Sequence, residues 1–151
     1  MYARIRTGRA EQNLPNTLQE LIETRLATLE RKDNDILEVR FKPGMKLDMA
    51  GLEEIITERQ RICPAGRVRV LTVFPPETDF DMAIMTLDHY KNTGLDTCTE
   101  AVAMAASSDM NERMANIYFA YYPQRFPTRV FLEEADARKW LADGVFDRSM
   151  N

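Results

Sequence analysis

The stretch of the chain from residue 99 to residue 122 limits the fold more than any other part, because both ends of each element are marked. Thr99–Ala106 is an almost continuous apolar run, typical of a strand that is covered on both faces of its sheet. Asp109 and Glu112 follow at the spacing of a capping box, so a helix should begin near Met110 and end by Tyr122, before Pro123. Its apolar stripe consists of Met110, Met114, Ile117 and Tyr121.

A second strand and helix follow directly. Pro127 opens a short strand over Thr128–Leu132. Glu133 then begins a helix with acidic residues where the helix macrodipole favours them, and Gly144 ends it. The buried face of this helix consists of Ala137, Trp140 and Leu141.

The first third of the chain predicts a hairpin of strands. Ile36–Phe41 has near-alternating polarity, and the polar cluster Lys32–Asp35 before it indicates a turn. Leu26–Leu29 therefore fits the partner strand. Leu18–Glu23 has helical spacing and is expected to be helical or irregular, with a strand as the open alternative.

The middle of the chain completes a strand–helix–strand unit. Asp48 should cap a helix that carries Leu52, Ile55, Ile56 and Arg59 at helical spacing, and the strand Arg67–Phe74 follows it. Thr78 and Asp81 have another capping spacing. They predict a further helix, ending by Gly94, with an inward face of Phe80, Ile84 and Leu87.

This order of elements predicts an α/β fold with a single mixed, mostly parallel sheet, an N-terminal strand hairpin and about four helices on its faces. The apolar runs near Ile36, Val68, Val102 and Val130 should be neighbouring strands of this sheet. Residues 1–23 are expected to be an N-terminal arm, residues 24–146 the domain and residues 147–151 a tail. Arg4, Arg6 and Arg9 make the arm basic.

The composition excludes several classes of function. The net charge of −4 argues against a surface that holds nucleic acid or an anionic membrane. No apolar run approaches the ~20 residues that span a bilayer, so the cytoplasm is the expected compartment. Cys63 and Cys98 form no CxxC motif, and His89 is the single histidine, so no metal site and no cofactor are expected.

Polar and aromatic side chains cluster around the helix that starts near residue 110. Arg113 and Asn116 lie three residues apart on this helix, below Ser107 and Ser108, and are expected to fix that loop or to hold an anion. One helix face cannot bury all the aromatic side chains nearby, so some should meet a loop, a second subunit or a ligand. These side chains are Tyr118, Phe119, Tyr121, Tyr122 and Phe126.

The run Ala103–Phe119, followed by Pro127–Phe131 and Ala137–Leu141, resembles small bacterial STAS-like (SpoIIAA-like) domains of unknown function. The resemblance covers residues 24–144. It implies the STAS-like sheet and a non-catalytic regulatory or protein-interaction module that binds a protein partner or forms a homodimer. In the better-studied STAS domains a kinase phosphorylates a serine at a helix start, which makes Thr78 and Ser108 phosphorylation candidates; helix capping is the alternative for both.

Two functions from different classes therefore stay open. One is the interaction module, with a candidate surface of Ser107, Ser108, Arg113, Asn116, Tyr118, Tyr121 and Tyr122. The other is a domain that binds a small apolar or amphipathic ligand in a cleft of Met82, Met85, Met114, Tyr118 and Tyr121. No catalytic residue is predicted, since the chain has no phosphate-binding, nucleophile or metal motif, and Asp79 with Asp81 is typical of acids at a helix start.

Overall fold

The computed structural model describes residues 21–32 and 36–146. Eight strands and three α-helices lie in this part of the chain. The strands are β1 (Leu21–Glu23), β2 (Ala27–Lys32), β3 (Ile36–Phe41), β4 (Lys46–Leu47), β5 (Val68–Val73), β6 (Asp79–Phe80), β7 (Thr99–Ala105) and β8 (Thr128–Phe131). The helices are α1 (Met49–Ile62), α2 (Asp109–Tyr121) and α3 (Glu134–Asp143).

Six of the strands form one mixed sheet in the order β1-β2-β3-β5-β7-β8. The first three are antiparallel neighbours, and the pairs β3–β5, β5–β7 and β7–β8 are parallel. β4 and β6 form a separate parallel pair. The predicted α/β class with one mostly parallel sheet is confirmed.

The N-terminal hairpin is confirmed, because β2 and β3 pair from Ala27 with Phe41 to Lys32 with Ile36. The prediction that Leu18–Glu23 is helical or irregular is wrong for residues 21–23, the part that the structure describes. There β1 is a strand that extends the sheet, with Ile22 opposite Leu29. The basic arm up to residue 20 and the tail 147–151 lie outside the described residues.

The helix predicted to start near Thr78 and to end by Gly94 does not form. Thr78 caps nothing, since its hydroxyl donates to the Pro75 carbonyl, and the next two residues are committed to strand β6. Asp81 instead caps a short 3₁₀ segment, Met82–Thr86, by accepting from the Ala83 N–H. Polar side chains after it bond to nearby backbone groups, as Asp88 does with the Tyr90 N–H, and such local bonds compete with a helix.

The two faces of the sheet are covered by different elements. Ala101, Ala103 and Ala105 of β7 pack with α3, and we call this side the α3 face. Val102 and Met104, which alternate with them, point to the side covered by α1, α2 and the segment between β6 and β7; this is the α1/α2 face. The apolar run of β7 is therefore buried on both sides, as predicted.

Helix α2 has the predicted bounds but a different cap and a different orientation. Ser108, rather than Asp109, is the N-cap, and its side chain accepts from the Asn111 N–H. Three residues of the predicted apolar stripe face outwards, since Met110 is 62%, Ile117 42% and Tyr121 76% exposed. The fourth, Met114, is half-buried on the side that faces the sheet. The cause is Asn111, a buried side chain that turns its own side of the helix towards the sheet.

A disulfide joins Cys63, just after α1, to Cys98, just before β7. The sequence spacing of the two cysteines carried no indication of this bond. Since the chain between them includes β5 and the whole β6–β7 connection, the disulfide fixes the end of α1 against the start of β7. These two ends hold the polar groups described below.

Candidate functional site

A cavity of about 150 Å³ lies on the α1/α2 face, between the sheet, the two helices and the segment around residues 80–90. It is bounded by side chains from every one of these elements. Apolar groups dominate its lining, among them Ile55 from α1, Met104 from β7 and Phe119 from α2. At one side of the lining, Phe41 and Phe74 stack with ring centroids 4.8 Å apart.

The loops around this cavity are fixed by Asn111. Its carboxamide nitrogen lies 2.8 Å from the Ala106 carbonyl oxygen and 2.9 Å from that of Pro75, and it donates to both. One buried side chain therefore connects the end of β7 to the turn after β5. Because both N–H donors of this buried amide are used in bonds to these two loops, Asn111 positions α2.

His89 and Tyr118 close another side of the cavity. The Tyr118 hydroxyl accepts from the His89 N–H at 2.8 Å and donates to the Leu87 carbonyl at 2.9 Å. His89 Nε2 lies 2.7 Å from the Ile84 carbonyl oxygen, and the two rings stack. Burial raises the pKa of the Tyr118 phenol, so it stays protonated and tethers the segment after the 3₁₀ turn.

Arg59 is the exceptional group of the lining. It is only 4% exposed, and its Nη2 donates to the Thr99 hydroxyl at 2.8 Å. No carboxylate of residues 21–32 or 36–146 forms an ion pair with it. Burial lowers the pKa of this guanidinium below its ordinary value. The cavity therefore combines an apolar wall with one buried cation.

Tyr90 lies beside this cation. Burial raises the pKa of the Tyr90 phenol, and the charge of Arg59 acts in the opposite direction. The ring packs edge-on against Phe126, with centroids 5.3 Å apart. Arg59 and Tyr90 thus form a polar corner in a cavity lining that is otherwise mostly apolar. Thr99 lies outside this lining and accepts a hydrogen bond from Arg59.

The structure brings together three of the five side chains predicted for an apolar cleft. Met85, Met114 and Tyr118 line the cavity. Met82 and Tyr121 are exposed and lie outside its lining. Their prediction was wrong for the reason given for α2 and for the missing fourth helix: both segments present a different side to the sheet.

The residues predicted as an interaction surface lie on α2 and at its two ends, and their role in binding a partner stays a prediction. Ser107 adopts a positive φ of 70°, and Ser108 caps α2. Arg113 and Asn116 are exposed, and the loop contacts expected of them are made by Asn111 instead. Tyr122 is half-buried against Tyr118. Thr78 is half-buried too, with its hydroxyl bonded to Pro75, and phosphorylation of Thr78 or Ser108 stays a prediction.

Sequence reasoning missed the polar corner. Arg59 follows the helical spacing of Leu52, Ile55 and Ile56. Its position on this apolar side of the helix was the signal that could have indicated a buried charge. Tyr90 and Asn111 carried no comparable signal, because their burial depends on contacts with distant segments.

The α3 face carries a second cluster of charges. Glu38 is buried and contacts Arg40 at 3.2 Å and Arg138 at 2.8 Å, and Glu134 bonds to both arginines. The hydrogen bond from Arg40 lowers the pKa of Glu134 to about 2. These charges neutralise one another, so the cluster is a structural network and offers no unpaired ion to a ligand.

Within the described ranges, no three His, Cys, Asp or Glu side chains are grouped so as to hold a metal ion. No helix of the same ranges has both the length and the apolar character needed to cross a bilayer.

The sheet order and the covering helices define an α/β domain with a SpoIIAA-like fold. The chain is similar to a solved structure of an uncharacterized protein of the DUF3478 family with that fold, from Shewanella loihica PV-4. The match has a TM-score of 0.53 and 17% identity and covers 80% of this chain and 98% of the other. The predicted resemblance to SpoIIAA-like domains is thereby confirmed for the fold.

The family model of the domain of unknown function DUF7793 matches residues 29–144, and the chain belongs to this family. The comparison with curated proteins finds no significant match.

Proposed function

We propose that this domain is a non-catalytic binding module that takes a small apolar or amphipathic molecule into the cavity of its α1/α2 face. The observation that carries the proposal is the cavity itself, about 150 Å³ in volume and lined mainly by aliphatic, aromatic and methionine side chains. An engineered cavity of this size with a similar lining binds benzene in another protein. A compact apolar molecule is therefore the ligand that fits this space.

The methionines support this proposal. Met85, Met104 and Met114 all line the cavity, and each is half-buried. Because a methionine side chain is unbranched and polarizable, it adapts to ligands of different shape. The site should therefore tolerate related ligands rather than select one outline.

Toluene is a suitable probe of the cavity. Isothermal titration calorimetry of the full chain should detect saturable binding of toluene. Ala115→Leu should weaken it at least about tenfold, because Ala115 lines the cavity and the larger side chain fills part of the volume.

Ala120→Leu is the matched control, since Ala120 lies on the same helix and is exposed. Its affinity for toluene should equal that of the unmodified chain. Absence of saturable binding in the unmodified chain would contradict the proposal, and so would equal weakening by both substitutions.

A second candidate function is self-association as a regulatory or interaction module. The observation that favours it is the outward stripe of α2, where Met110, Ile117 and Tyr121 are exposed together. A patch of this kind meets the same patch on a second copy in a twofold dimer.

Light scattering coupled to size-exclusion chromatography tests this second function. The full chain should elute as a dimer, and Ile117→Asp should convert it to a monomer, since the new charge lies in the centre of the stripe. Asn116→Asp adds the same charge beside the stripe and should leave the dimer intact. A monomer at all concentrations tested would exclude self-association through α2.

A further inference from the structure

The polar corner of the cavity has the composition of a site for a carboxylate. Arg59 is buried, keeps its charge at any physiological pH and is paired with no carboxylate of the described residues. Its guanidinium has five N–H donors, and the hydroxyl of Thr99 accepts from one of its nitrogens. Burying a cation without a counter-ion costs free energy. An anion that binds in the corner supplies this counter-ion, and the ion pair stabilises the complex.

Tyr90 adds a second donor at the same place. Tyr90 and Arg59 both line the cavity. Burial raises the pKa of the Tyr90 phenol, so the phenol stays protonated and can donate a hydrogen bond. Asp88, whose charge acts on the Tyr90 phenol, is engaged elsewhere, since its carboxylate accepts from the Tyr90 N–H and from Gln124. Asp88 is thus not a counter-ion of Arg59.

We infer that the cavity binds an amphipathic monocarboxylate, with the carboxylate paired to Arg59 and Tyr90 and an apolar part of about the size of a benzene ring in the remaining volume. This inference rests on the proposed function, because it names the class of ligand that the same cavity selects. The apolar walls accept the hydrocarbon, and the buried cation distinguishes an acid from a neutral molecule of the same shape.

Benzoate and benzyl alcohol form a matched pair of probes, since both carry one aromatic ring and differ in charge. In calorimetric titrations of the full chain at pH 7, benzoate should bind about 10- to 100-fold more tightly than benzyl alcohol, the range expected for hydrogen bonds to a charged partner. Equal affinities of the two probes would overturn the inference.

Arg59→Met assigns the preference to the buried cation, because methionine keeps the apolar stem and removes the charge. The variant should lose the 10- to 100-fold preference while its affinity for benzyl alcohol stays within about twofold. Arg61→Met removes an arginine from the same helix, where the side chain is exposed, and should bind both probes like the unmodified chain. A preference that survives in Arg59→Met contradicts the inference.

Tyr90→Phe gives a second test in case Arg59→Met does not fold. It should weaken benzoate binding about 2- to 10-fold, the loss expected for one hydrogen bond, without affecting benzyl alcohol. Unchanged benzoate affinity in this variant would remove Tyr90 from the site.

Failure of this inference differs from failure of the proposed function. Binding of toluene and benzyl alcohol without a preference for benzoate leaves the apolar cavity as a ligand site and rejects the carboxylate. Absence of binding by all three probes rejects both.

Discussion

The two faces of the central sheet are filled in opposite ways. On the α3 face, three alanines of β7 allow Leu141 of α3 to pack directly on the sheet, and Leu141 and Ala137 are both fully buried there. On the α1/α2 face, Met104 and its aromatic and aliphatic neighbours hold the helices further out and leave a cavity of about 150 Å³. Small side chains against a helix thus give a closed layer, whereas long side chains at irregular spacing leave room for a guest.

The same contrast holds for the buried charges. Glu38 on the α3 face is paired with Arg40 and Arg138, so its burial is compensated within the protein. Arg59 on the α1/α2 face is equally buried and has the Thr99 hydroxyl as its hydrogen-bond acceptor. The buried charge on the α3 face therefore has its counter-ions within the protein. For Arg59 on the α1/α2 face, we propose that the carboxylate of a ligand is the counter-ion.

Truncation of a side chain on each face gives the largest expected difference. Leu141→Ala should lower the free energy of unfolding by about 2–5 kcal/mol, because Leu141 is fully buried in the closed layer. Met114→Ala should cost less than half as much, since Met114 is half-buried and already borders empty space. Urea denaturation measures both values, and equal losses would show that the two faces are packed alike.

Removal of the disulfide tests how much the bond between the end of α1 and the start of β7 stabilises the protein. The double variant Cys63→Ser, Cys98→Ser should lose about 2–4 kcal/mol of stability, because the bond closes a loop with a sequence separation of 35 residues. Urea unfolding of the oxidised chain and the variant measures the loss. Reductant should destabilise the unmodified chain and leave the variant unchanged; identical unfolding of both oxidised proteins would contradict the pairing.

Enlargement of an alanine should lower the stability of the protein on the α3 face but not on the α1/α2 face. Ala103→Leu should destabilise the protein by about 1–3 kcal/mol, because Ala103 is fully buried under α3. Ala115→Leu should leave the stability unchanged or raise it by about 1 kcal/mol, since it fills part of the cavity. Thermal unfolding decides between these outcomes, and strong destabilisation by both would mean that the cavity has no room for a guest.

Acid should affect the α3 face through Glu134. Its pKa is lowered to about 2, from 4.5, mainly by the hydrogen bond from Arg40, so its contribution to stability is present above pH 4.5 and is lost as the pH falls towards 2. The expected contribution is about 1 kcal/mol, since the pair is partly exposed and screened by solvent.

Glu134→Gln is the variant that checks this smallest effect. Its unfolding free energy should fall less steeply than that of the unmodified chain between pH 4.5 and pH 2. Parallel curves would show that the network on the α3 face contributes nothing to the pH dependence of stability.

The sheet was predictable because its strands are apolar runs bounded by turn residues. The runs near Val68, Val102 and Val130 are neighbouring strands, as predicted, with Val70 opposite Val102 and Met104 opposite Val130. Caps such as Asp48 and terminators such as Gly144 were equally readable, since each acts through its own backbone neighbours.

The site was harder to predict, because it depends on contacts between segments that are distant in sequence. The orientation of α2 follows from Asn111 and the Pro75 carbonyl, which are 36 residues apart, and either side of this helix carries apolar residues. Hydrophobic periodicity alone therefore placed Met114 correctly and Met110, Ile117 and Tyr121 on the wrong side of the helix. Arg59 and Thr99 are separated by 40 residues, and only the fold brings them together.

The methionine methyl groups offer the most direct measurement of whether this face holds a guest. In the NMR spectrum of the chain labelled at these methyls, toluene should shift the signals of Met85, Met104 and Met114, which line the cavity. The signals of the exposed Met82 and Met110 should stay in place. Shifts confined to the exposed methyls, or no shifts at saturating toluene, would contradict the account.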